Sequence, residues 1–277
     1  MRAGRRVGTA LNRAGGTARL GLPVEGEVHL WWSSLAESQG GYAGFSTFLS
    51  ELERERIGRL RSSVARRRAL ASRGLLRSLL ARYTRSSPDA PQFTANKAGK
   101  PELVEPATDL QFNVSHSEDL WVCAVTRGQA VGVDVECVRP IQPLHILPFL
   151  APQERASWKR LIRSMSKTRQ AGALLSLWTR KEAYMKARGL GADLPLDAFA
   201  VSVSPDLPPR LVSDRRDPQA PQRWILIDLG GFPRARVALA VERPLRSLFI
   251  RALHVGSILP CSEVSMTGVG NGYCDLD

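Results

Sequence analysis

Three acidic residues stand at positions from which their carboxylates could share one cation. Asp134 and Glu136 are one residue apart in the segment GVDVE, and Glu182 lies in the later segment WTRKEAYMKARGLG. Side chains two residues apart on a strand share a face, so we expect Asp134 and Glu136 to point the same way, about 7 Å apart. Carboxylate oxygens without a neighbouring His or Cys cluster favour Mg²⁺ over zinc. The three acids therefore form a candidate magnesium site.

Lys186 follows Glu182 by four residues, which places both side chains on one face of a helix. From there the ammonium could reach an anion that the metal holds. The alternative interpretation is a surface salt bridge between Glu182 and Lys186, which stabilises a helix by only about 0.2–0.5 kcal/mol. The spacing alone leaves both interpretations open.

Ser115 and His116 adjoin in the segment NVSHS, a pairing that invites comparison with serine hydrolases. Adjacent residues of an extended segment point to opposite faces, and the sequence has no GxSxG elbow, so a nucleophilic Ser–His pair is not expected. Beside this serine-rich turn, His116 could instead donate to a phosphate. The other histidines are scattered without the spacing of metal ligands: His29, His145 and His254.

The chain carries a formal net charge of +13, and most of the excess comes from one segment. Residues 50–87 hold eleven arginines and three glutamates. Such an excess implies an anionic partner, which could be a phosphorylated cofactor, a nucleic acid, a membrane surface or an acidic protein. The segment itself could form a solvated helical face or a cradle for phosphate, and its charge does not choose between them.

No feature of the sequence indicates a membrane or secreted location. No stretch approaches the roughly 18 apolar residues of a membrane-spanning helix. The four cysteines are widely spaced and form no CxxC pair, which favours a reducing cytoplasm. The first 26 residues are rich in Arg, Gly and Ala and lack the apolar run of a signal peptide. We therefore predict a soluble cytoplasmic protein in which residues 1–26 form a disordered basic arm.

Apolar periodicity predicts the elements of the first half of the chain. We expect a strand at residues 27–32 and two consecutive helices within residues 50–87. The Gly-Lys-Pro turn within residues 93–103 predicts an exposed loop that carries Lys100. A β-hairpin with a charged tip follows, and the next strand, AVGVDVE, carries the first two acids.

The second half of the chain begins with a helix from Pro152, which leads into WTRKEAYMKARGLG. In that segment Lys181, Glu182 and Lys186 are left over from the apolar packing face, and Gly189 is expected to end the helix. Three further strands follow in the segments FAVSV, RWILIDL and RVALAVE.

A short similarity between two strands suggests an internal repeat. RVALAV, late in the chain, echoes WVCAV in the first half, and each follows a helical region. A repeat predicts two similar halves joined near residues 138–142. We accordingly predict an N-terminal subdomain at residues 27–140, a C-terminal subdomain at residues 141–250 and a loosely ordered tail at residues 251–277.

Four motifs in this order and at this spacing resemble one enzyme family. GKPEL, FNVSHS, GVDVE and WTRKEAYMKARGLG closely resemble the 4′-phosphopantetheinyl transferases of the broad-specificity type that activates surfactin synthetase, over about residues 28–245. The resemblance implies an α+β fold, a pseudo-dimer of two similar α/β subdomains with coenzyme A between them. It also implies that Mg²⁺ bridges the pyrophosphate while a carrier-protein serine attacks the β-phosphate and releases adenosine 3′,5′-bisphosphate.

The resemblance implies roles for individual residues as well. The implied metal ligands are Asp134, Glu136 and Glu182. Two residues have implied catalytic roles: Lys186 contacts the pyrophosphate, and Glu182 is one of several candidates to take the serine proton, directly or through a water. The implied coenzyme-binding residues are Arg56, Arg68, Lys100, Ser115, His116, Asp134 and Lys186. Ala69 stands where the family can have a phosphate-contacting threonine, so that contact is in doubt.

The implied second substrate is an apo acyl carrier protein or a peptidyl carrier protein domain, and the positive charge suits an acidic carrier. The sequence does not choose among fatty-acid, polyketide and nonribosomal-peptide carriers. An internally duplicated enzyme needs no partner subunit, so we predict a monomer without a stable nucleic-acid or membrane partner. Two alternatives stay open. One is a nucleic-acid-binding protein using the arginine-rich helices, whose only aromatic residue is Tyr83, and the other is a catalytically silent carrier-binding module.

Overall fold

Helices and strands alternate in a mixed order through the computed structural model, which describes residues 21–36, 42–138 and 146–253. The strands are β1 (Glu27–Ser34), β2 (Gln92–Ala95), β3 (Pro101–Glu105), β4 (Leu110–Ser117), β5 (Leu120–Arg127), β6 (Val131–Cys137), β7 (Phe199–Val201), β8 (Leu211–Asp214), β9 (Trp224–Leu229), β10 (Ala235–Glu242) and β11 (Ser247–Ala252). The α-helices are α1 (Glu51–Gly58), α2 (Ser63–Thr84), α3 (Pro152–Leu161), α4 (Lys167–Arg188) and α5 (Ala220–Arg223). The predicted α+β class is confirmed.

The chain repeats one arrangement of elements. In the first half, β1 is followed by α1, α2, the small β2–β3 sheet and the hairpin β4–β5. In the second half, β6 is followed in the same order by α3, α4, the small β7–β8 sheet and the hairpin β9–β10. In both main sheets the leading strand lies antiparallel to the second hairpin strand, which gives the orders β11-β1-β5-β4 and β6-β10-β9. The echo of WVCAV in RVALAV is therefore the correspondence of β5 with β10, and the predicted fold of two similar halves is confirmed.

The strand pairing bears on where one half ends. All of β6 pairs with β10, although the predicted boundary at residue 140 assigned β6 to the first half. The pairing favours a division before residue 131, while the predicted subdomain limits stay predictions. Residues 139–145, which include most of the predicted junction, lie outside the described residues.

The described structure extends into both terminal segments for which little order was predicted, residues 1–26 and 251–277. The strand β11 pairs in parallel with β1, and Leu253 after it is buried and donates its N–H to Trp32 O at 2.8 Å. At the other end, Gly26 N donates to Gln129 Oε1 at 2.8 Å. The strand thus includes the first two residues of the predicted tail, at 251 and 252. Residues 1–20 and 254–277 lie outside the described part of the chain.

Apolar side chains build four layers: α2, the first sheet, the second sheet and α4. One core lies between α2 and the first sheet around Leu79 and Phe112, and another lies between the two sheets around Val122 and Val133. A third core lies between α4 and the second sheet. Full burial of a side chain such as Leu79 stabilises the fold by roughly 1.5–3 kcal/mol.

Both long helices begin and end at residues suited to those positions. The hydroxyl of Ser62 accepts the N–H of Ala65 at the start of α2, and Ser166 starts α4 in the same way. The helix α4 ends at Gly189, whose φ of 61° is the left-handed conformation that glycine adopts at low cost, so the predicted end is confirmed. No helix among the described residues combines the length and apolarity needed to span a bilayer.

The prediction that Lys181 is left over from packing is wrong. Its side chain is fully buried, and Nζ donates to the two Glu154 carboxylate oxygens at 2.8 and 2.6 Å and to Phe199 O at 2.8 Å. Glu154 also accepts the N–H groups of Ala151 and Val201, each at 2.8 Å. This ion pair therefore joins α4 to α3 and β7. The Lys181 side chain can be buried because Glu154, 27 residues away in sequence, supplies the opposite charge.

We expect Lys181→Met to destabilise the protein by about 3–5 kcal/mol, because it leaves the Glu154 carboxylate buried without its cation. Urea unfolding measures the loss. Arg169→Met is the matched control, since it removes an ion pair with Asp206 whose two side chains are more than half exposed, and such pairs contribute little. A loss as small as that of the control would contradict the structural role of the buried pair.

Candidate active site

The segment GVDVE forms β6, and its acids share one face as predicted. In the antiparallel register, Asp134 is opposite Ala238 and Glu136 is opposite Arg236 on β10. Ala238 belongs to the core under α4, so both acids face that helix, while the alternating valines of β6 pack between the sheets.

Gly132 allows α4 to lie directly on β6. A Cβ atom at this position would stand 2.2 Å from Ala183 O and 2.3 Å from Ala187 N, so any larger residue would force the helix away from the strand. The close approach places the last two turns of α4 above the acids. Glu182 and Lys186 reach the site from these turns.

Lys186 is bound to Asp134 and not to Glu182, so the i,i+4 salt bridge considered from the sequence is not the observed pairing. Lys186 Nζ donates to Asp134 Oδ1 at 2.5 Å and to Ser115 Oγ at 2.9 Å, and Ser115 Oγ donates to the same Asp134 oxygen at 2.9 Å. The other oxygen, Asp134 Oδ2, is buried and has no hydrogen-bond partner among the described residues.

Negative charge accumulates at this site. Burial, and then the charges of Asp134 and Glu136, raise the pKa of Glu182 to about 7, although the charge of Lys186 acts in the opposite direction. Burial also raises the pKa of Asp134, against the effects of Lys186 and Ser115. One ammonium therefore does not fully offset three carboxyl groups, and a further cation would be stabilised here.

The predicted three-acid metal site is not assembled among the described residues, where no group of three or more His, Cys, Asp or Glu side chains is arranged to hold a metal ion. The contacts of the acids give the physical reason: Lys186 is on Asp134, and Ser117 Oγ donates to Glu136 Oε2 at 3.1 Å. The donors still suit a hard divalent cation, because all are carboxylates and the buried Asp134 Oδ2 lacks a partner in the described part of the chain.

Polar side chains of β4 join the two sheets at the site. Three alternate residues of β4 accept a backbone N–H of β6: Asn113 from Val133 at 2.9 Å, Ser115 from Val135 at 3.4 Å and Ser117 from Cys137 at 3.0 Å. We call this row the β4–β6 seam. The two serines of the seam each also donate to an acid, so they orient the carboxylates of Asp134 and Glu136. Asn113 and Ser117 are not among the predicted site residues, although the alternation in FNVSHS places both on the face of Ser115.

Two further basic side chains, those of His116 and Arg68, lie on the β4 side of the acids. His116 is exposed on the opposite side of the strand from Ser115, which agrees with the expectation that the two do not form a nucleophilic pair. Partial desolvation and the nearby charges of Lys186 and Arg68 lower the pKa of His116. Arg68 Nε donates to Asp119 Oδ1 at 2.8 Å at the hairpin tip. Arg56 is exposed on α1, and its assignment to the coenzyme stays a prediction.

Lys100 lies in the turn between β2 and β3, whose residues 97–99 are exposed as predicted, but its own side chain is half-buried. Its Nζ donates to Val131 O at 3.0 Å and lies 3.5 Å from Ala187 O, and burial lowers its pKa to about 8. Asn96 Nδ2 donates to Gly189 O at 2.9 Å. Both side chains thus satisfy carbonyls at the C-terminal end of α4, where a positive charge is also stabilised by the helix dipole.

We expect the raised pKa of Glu182 to make the stability of the protein depend on pH. Its folded pKa of about 7 exceeds the ordinary 4.5, so its contribution is fully present below about pH 4.5 and is lost as the pH rises through 7. The variant Glu182→Gln has no carboxyl group to titrate at this position. Its free energy of unfolding should therefore rise relative to that of the wild type when the pH is raised from 5 to 8. Urea unfolding at the two pH values measures it. Glu102→Gln, at an exposed glutamate of β3, is the control, and an equal effect at both pH values would contradict the prediction.

Comparisons with known proteins agree with this geometry. Residues 130–241 match the family model of the 4′-phosphopantetheinyl transferase superfamily, and residues 32–128 match that of the 4′-phosphopantetheinyl transferase N-terminal domain. The chain is 33% identical to 4′-phosphopantetheinyl transferase HetI of Nostoc sp. over 219 residues, which is 78% of this chain and 87% of HetI.

Two relatives from Bacillus are also similar. The identity is 30% over 162 residues to 4′-phosphopantetheinyl transferase Sfp of Bacillus subtilis, which is 58% of this chain and 70% of Sfp. It is 30% over 159 residues to 4′-phosphopantetheinyl transferase psf-1 of Bacillus pumilus, covering 57% of this chain and 66% of psf-1. With both halves matched and the fold repeated, the chain belongs to the 4′-phosphopantetheinyl transferase family.

Proposed function

We propose that this protein transfers 4′-phosphopantetheine from coenzyme A to a serine of an apo acyl or peptidyl carrier protein, in a reaction that requires Mg²⁺. The observation that carries the proposal is the group formed by Asp134, Glu182 and Lys186, in which a buried acid, a half-buried acid and a cation meet at the junction of the two halves. Family membership supports the class of reaction.

Asp134, Glu136 and Glu182 would hold the metal ion. The free Oδ2 of Asp134 faces no competing hydrogen bond from a described residue, and Ser117 keeps Glu136 oriented. When bound, Mg²⁺ supplies neutralisation of the charge that develops on the pyrophosphate. Phosphoryl-group transfer depends mainly on such positioning and charge stabilisation, which suits a site without a protein nucleophile.

Glu182 is our candidate for the general base. Its carboxyl group lies near Asp134 and Lys186, so it is placed to accept the proton of a hydroxyl that attacks beside them. The carrier serine oxygen bonds to the β-phosphorus, and the bond from that phosphorus to the bridging oxygen breaks. The serine proton goes to Glu182, directly or through a water, and the electron pair leaves with adenosine 3′,5′-bisphosphate.

The cations around the acids would hold the phosphates of coenzyme A. Lys186 has three donors and sits at Asp134, so it is placed to share them with a pyrophosphate oxygen. His116 and Arg68 are close enough to interact electrostatically, which suits the 3′-phosphate on the β4 side. We retain Arg56, Lys100 and Ser115 as proposed coenzyme contacts. The contacts that Lys100 and Ser115 make with α4 and Asp134 add a positioning role for each.

The proposed carrier is acidic, because the protein carries a net charge of +13. Association of opposite charges is faster at low ionic strength, so salt should slow the encounter. Tyr83 is buried and its hydroxyl accepts from Trp31 Nε1 at 2.8 Å, so it offers no surface for stacking nucleic-acid bases. We further propose that the protein is a cytoplasmic monomer. It would bind no membrane and form no stable complex with nucleic acid.

The experiment that tests the function is the intact mass of an apo acyl carrier protein after incubation with this protein, coenzyme A and Mg²⁺. We expect a gain equal to one phosphopantetheine group, prevented by a chelator. A parallel reaction with an apo peptidyl carrier protein tests the other carrier class. No gain on either carrier would contradict the transferase proposal and favour a carrier-binding module without activity.

We expect Asp134→Ala to lower turnover by at least about 10²-fold, because the site loses the acid to which Lys186, Ser115 and the metal would all bind. The rate of carrier modification measures the effect, and circular dichroism checks that the variant is folded. Asp206→Ala, at an exposed acid paired with Arg169, is the control and should retain activity. Mg²⁺-dependent turnover at the wild-type rate in Asp134→Ala would move the metal site elsewhere.

A further inference from the structure

The turn between β2 and β3 reaches from the first half of the chain to the elements of the second half that carry the site. We call residues 96–100 the β2–β3 turn. Asn96 Nδ2 donates to Gly189 O at 2.9 Å, and Lys100 Nζ donates to Val131 O at 3.0 Å. Gly189 is the C-cap of α4, and Val131 is the first residue of β6. One short turn therefore contacts both the end of the helix and the start of the strand.

Asn96 uses different atoms to shape the turn and to contact the helix. Its Oδ1 accepts the N–H groups of Ala98 at 2.9 Å and Lys100 at 3.0 Å, and its own N–H donates to Lys100 O at 3.0 Å. Because Oδ1 accepts two N–H groups, the other atom of the amide is the nitrogen, which donates to Gly189 O. The side-chain oxygen thus orders the turn, while the amino group serves the helix.

Two glycines allow the turn to lie directly on the segment that follows α4. A Cβ atom at Gly189 would stand 2.9 Å from Asn96 Nδ2, and a Cβ atom at Gly191 would stand 2.8 Å from the Cβ atom of Ala98. The turn and the end of the helix are therefore in close contact, so a change in one is transmitted to the other.

This contact matters for the site because Lys186 lies in the last turn of α4. The carbonyl groups of a last helical turn have no partner within the helix, and helix ends fray. Gly189 N donates to Lys186 O at 3.2 Å, so the residue that Asn96 binds closes the turn that begins at Lys186. Holding this turn in place limits the movement of the Lys186 ammonium on Asp134.

We propose that Asn96 is a positioning residue for the transferase reaction, an inference that rests on the proposed function. Asn96 acts through Gly189 and the last turn of α4, which keep Lys186 aligned at the acids. A misplacement of about 1 Å caused by a distant mutation can cost about 10²-fold in rate. The role depends on the donor at Nδ2, so it can be separated from the role of the side-chain oxygen in the turn.

Two substitutions remove the donor and keep an acceptor for the turn. In Asn96→Asp one carboxylate oxygen can still accept the N–H groups of Ala98 and Lys100, and the other oxygen faces Gly189 O and repels it. In Asn96→Ser the hydroxyl can still accept within the turn but is too short to reach the helix. Lys97→Gln is the matched control, because Lys97 is exposed in the same turn and this change also lowers the net charge by one. If Asn96→Asp fails to fold, Asn96→Ser carries the test.

Hydrogen–deuterium exchange measures the opening of the last helical turn without any substrate. We expect the amides of residues 186–189 to exchange about tenfold faster in both Asn96 variants, because Gly189 O loses its donor. The amides of residues 171–176, in the first half of α4, should exchange as in the wild type. Lys97→Gln should leave both groups of amides unchanged.

Steady-state kinetics of carrier modification tests the positioning role itself. We expect kcat to fall about tenfold in the Asn96 variants while KM for coenzyme A stays within about twofold, because the alignment of Lys186 matters most in the transition state. Circular dichroism checks that each variant is folded. Lys97→Gln should retain the kcat of the wild type.

The outcomes separate this inference from the proposed function. Faster exchange with a wild-type kcat would make Asn96 a structural residue only and overturn the positioning role. Unchanged exchange in both variants would overturn the effect of the turn on the helix, whatever the kcat. A wild-type protein that modifies no carrier would overturn the proposed function and the positioning role with it, while the exchange rates would still decide whether the turn holds the helix. Faster exchange together with a lower kcat in either folded variant, and neither change in Lys97→Gln, supports the proposal.

Discussion

The ion pair between Lys186 and Asp134 holds together the parts of the molecule on which the site depends. Asp134 comes from the leading strand of the second half, Lys186 from the long helix above it, and the bridging Ser115 from the edge strand of the first half. The carboxylate of this pair is buried and the ammonium is partly exposed, and a buried charge is stable only when it is paired and hydrogen-bonded. Among the described residues, Asp134 Oδ1 accepts two hydrogen bonds and Oδ2 accepts none, so only one of the two carboxylate oxygens is satisfied.

Close packing sets the height of α4 above β6. Without a side chain at Gly132, the backbone of the helix can contact the strand, and a helix this close brings the short carboxylate of Asp134 within reach of a lysine. Lys100, Asn96 and the buried Lys181 then fix the same helix at its end and its middle. The site is therefore positioned by contacts of the C-terminal part of α4, from Lys181 to Gly189.

Local patterns were sufficient for much of the fold and for the identity of the acids. The alternation in GVDVE, the apolar period of the helices and the glycine after Arg188 are all encoded within a few residues, so they could be predicted from the sequence. The partners of Lys181 and Lys100 could not, because Glu154 and Val131 are distant in sequence and only the folded chain brings them near. The same reason explains why the sequence offered only Glu182, its neighbour on the helix, as an ion-pair partner of Lys186, when its partner in the fold is Asp134. The role of Ser117 could not be predicted because Ser117 contacts Glu136 and Cys137 of β6, and the sequence does not show that β4 and β6 are adjacent.

The β4–β6 seam has a consequence for how the protein behaves at high concentration. β4 and β6 are edge strands of their sheets, and an uncovered edge of this kind exposes backbone N–H groups to which a strand of another molecule can add. Here the side chains of Asn113, Ser115 and Ser117 bind those N–H groups on β6, and they do so without a backbone ladder that would merge the sheets into one. Each half thus shields an edge of the other from intermolecular pairing, and a chain cut between the halves would expose both edges to aggregation.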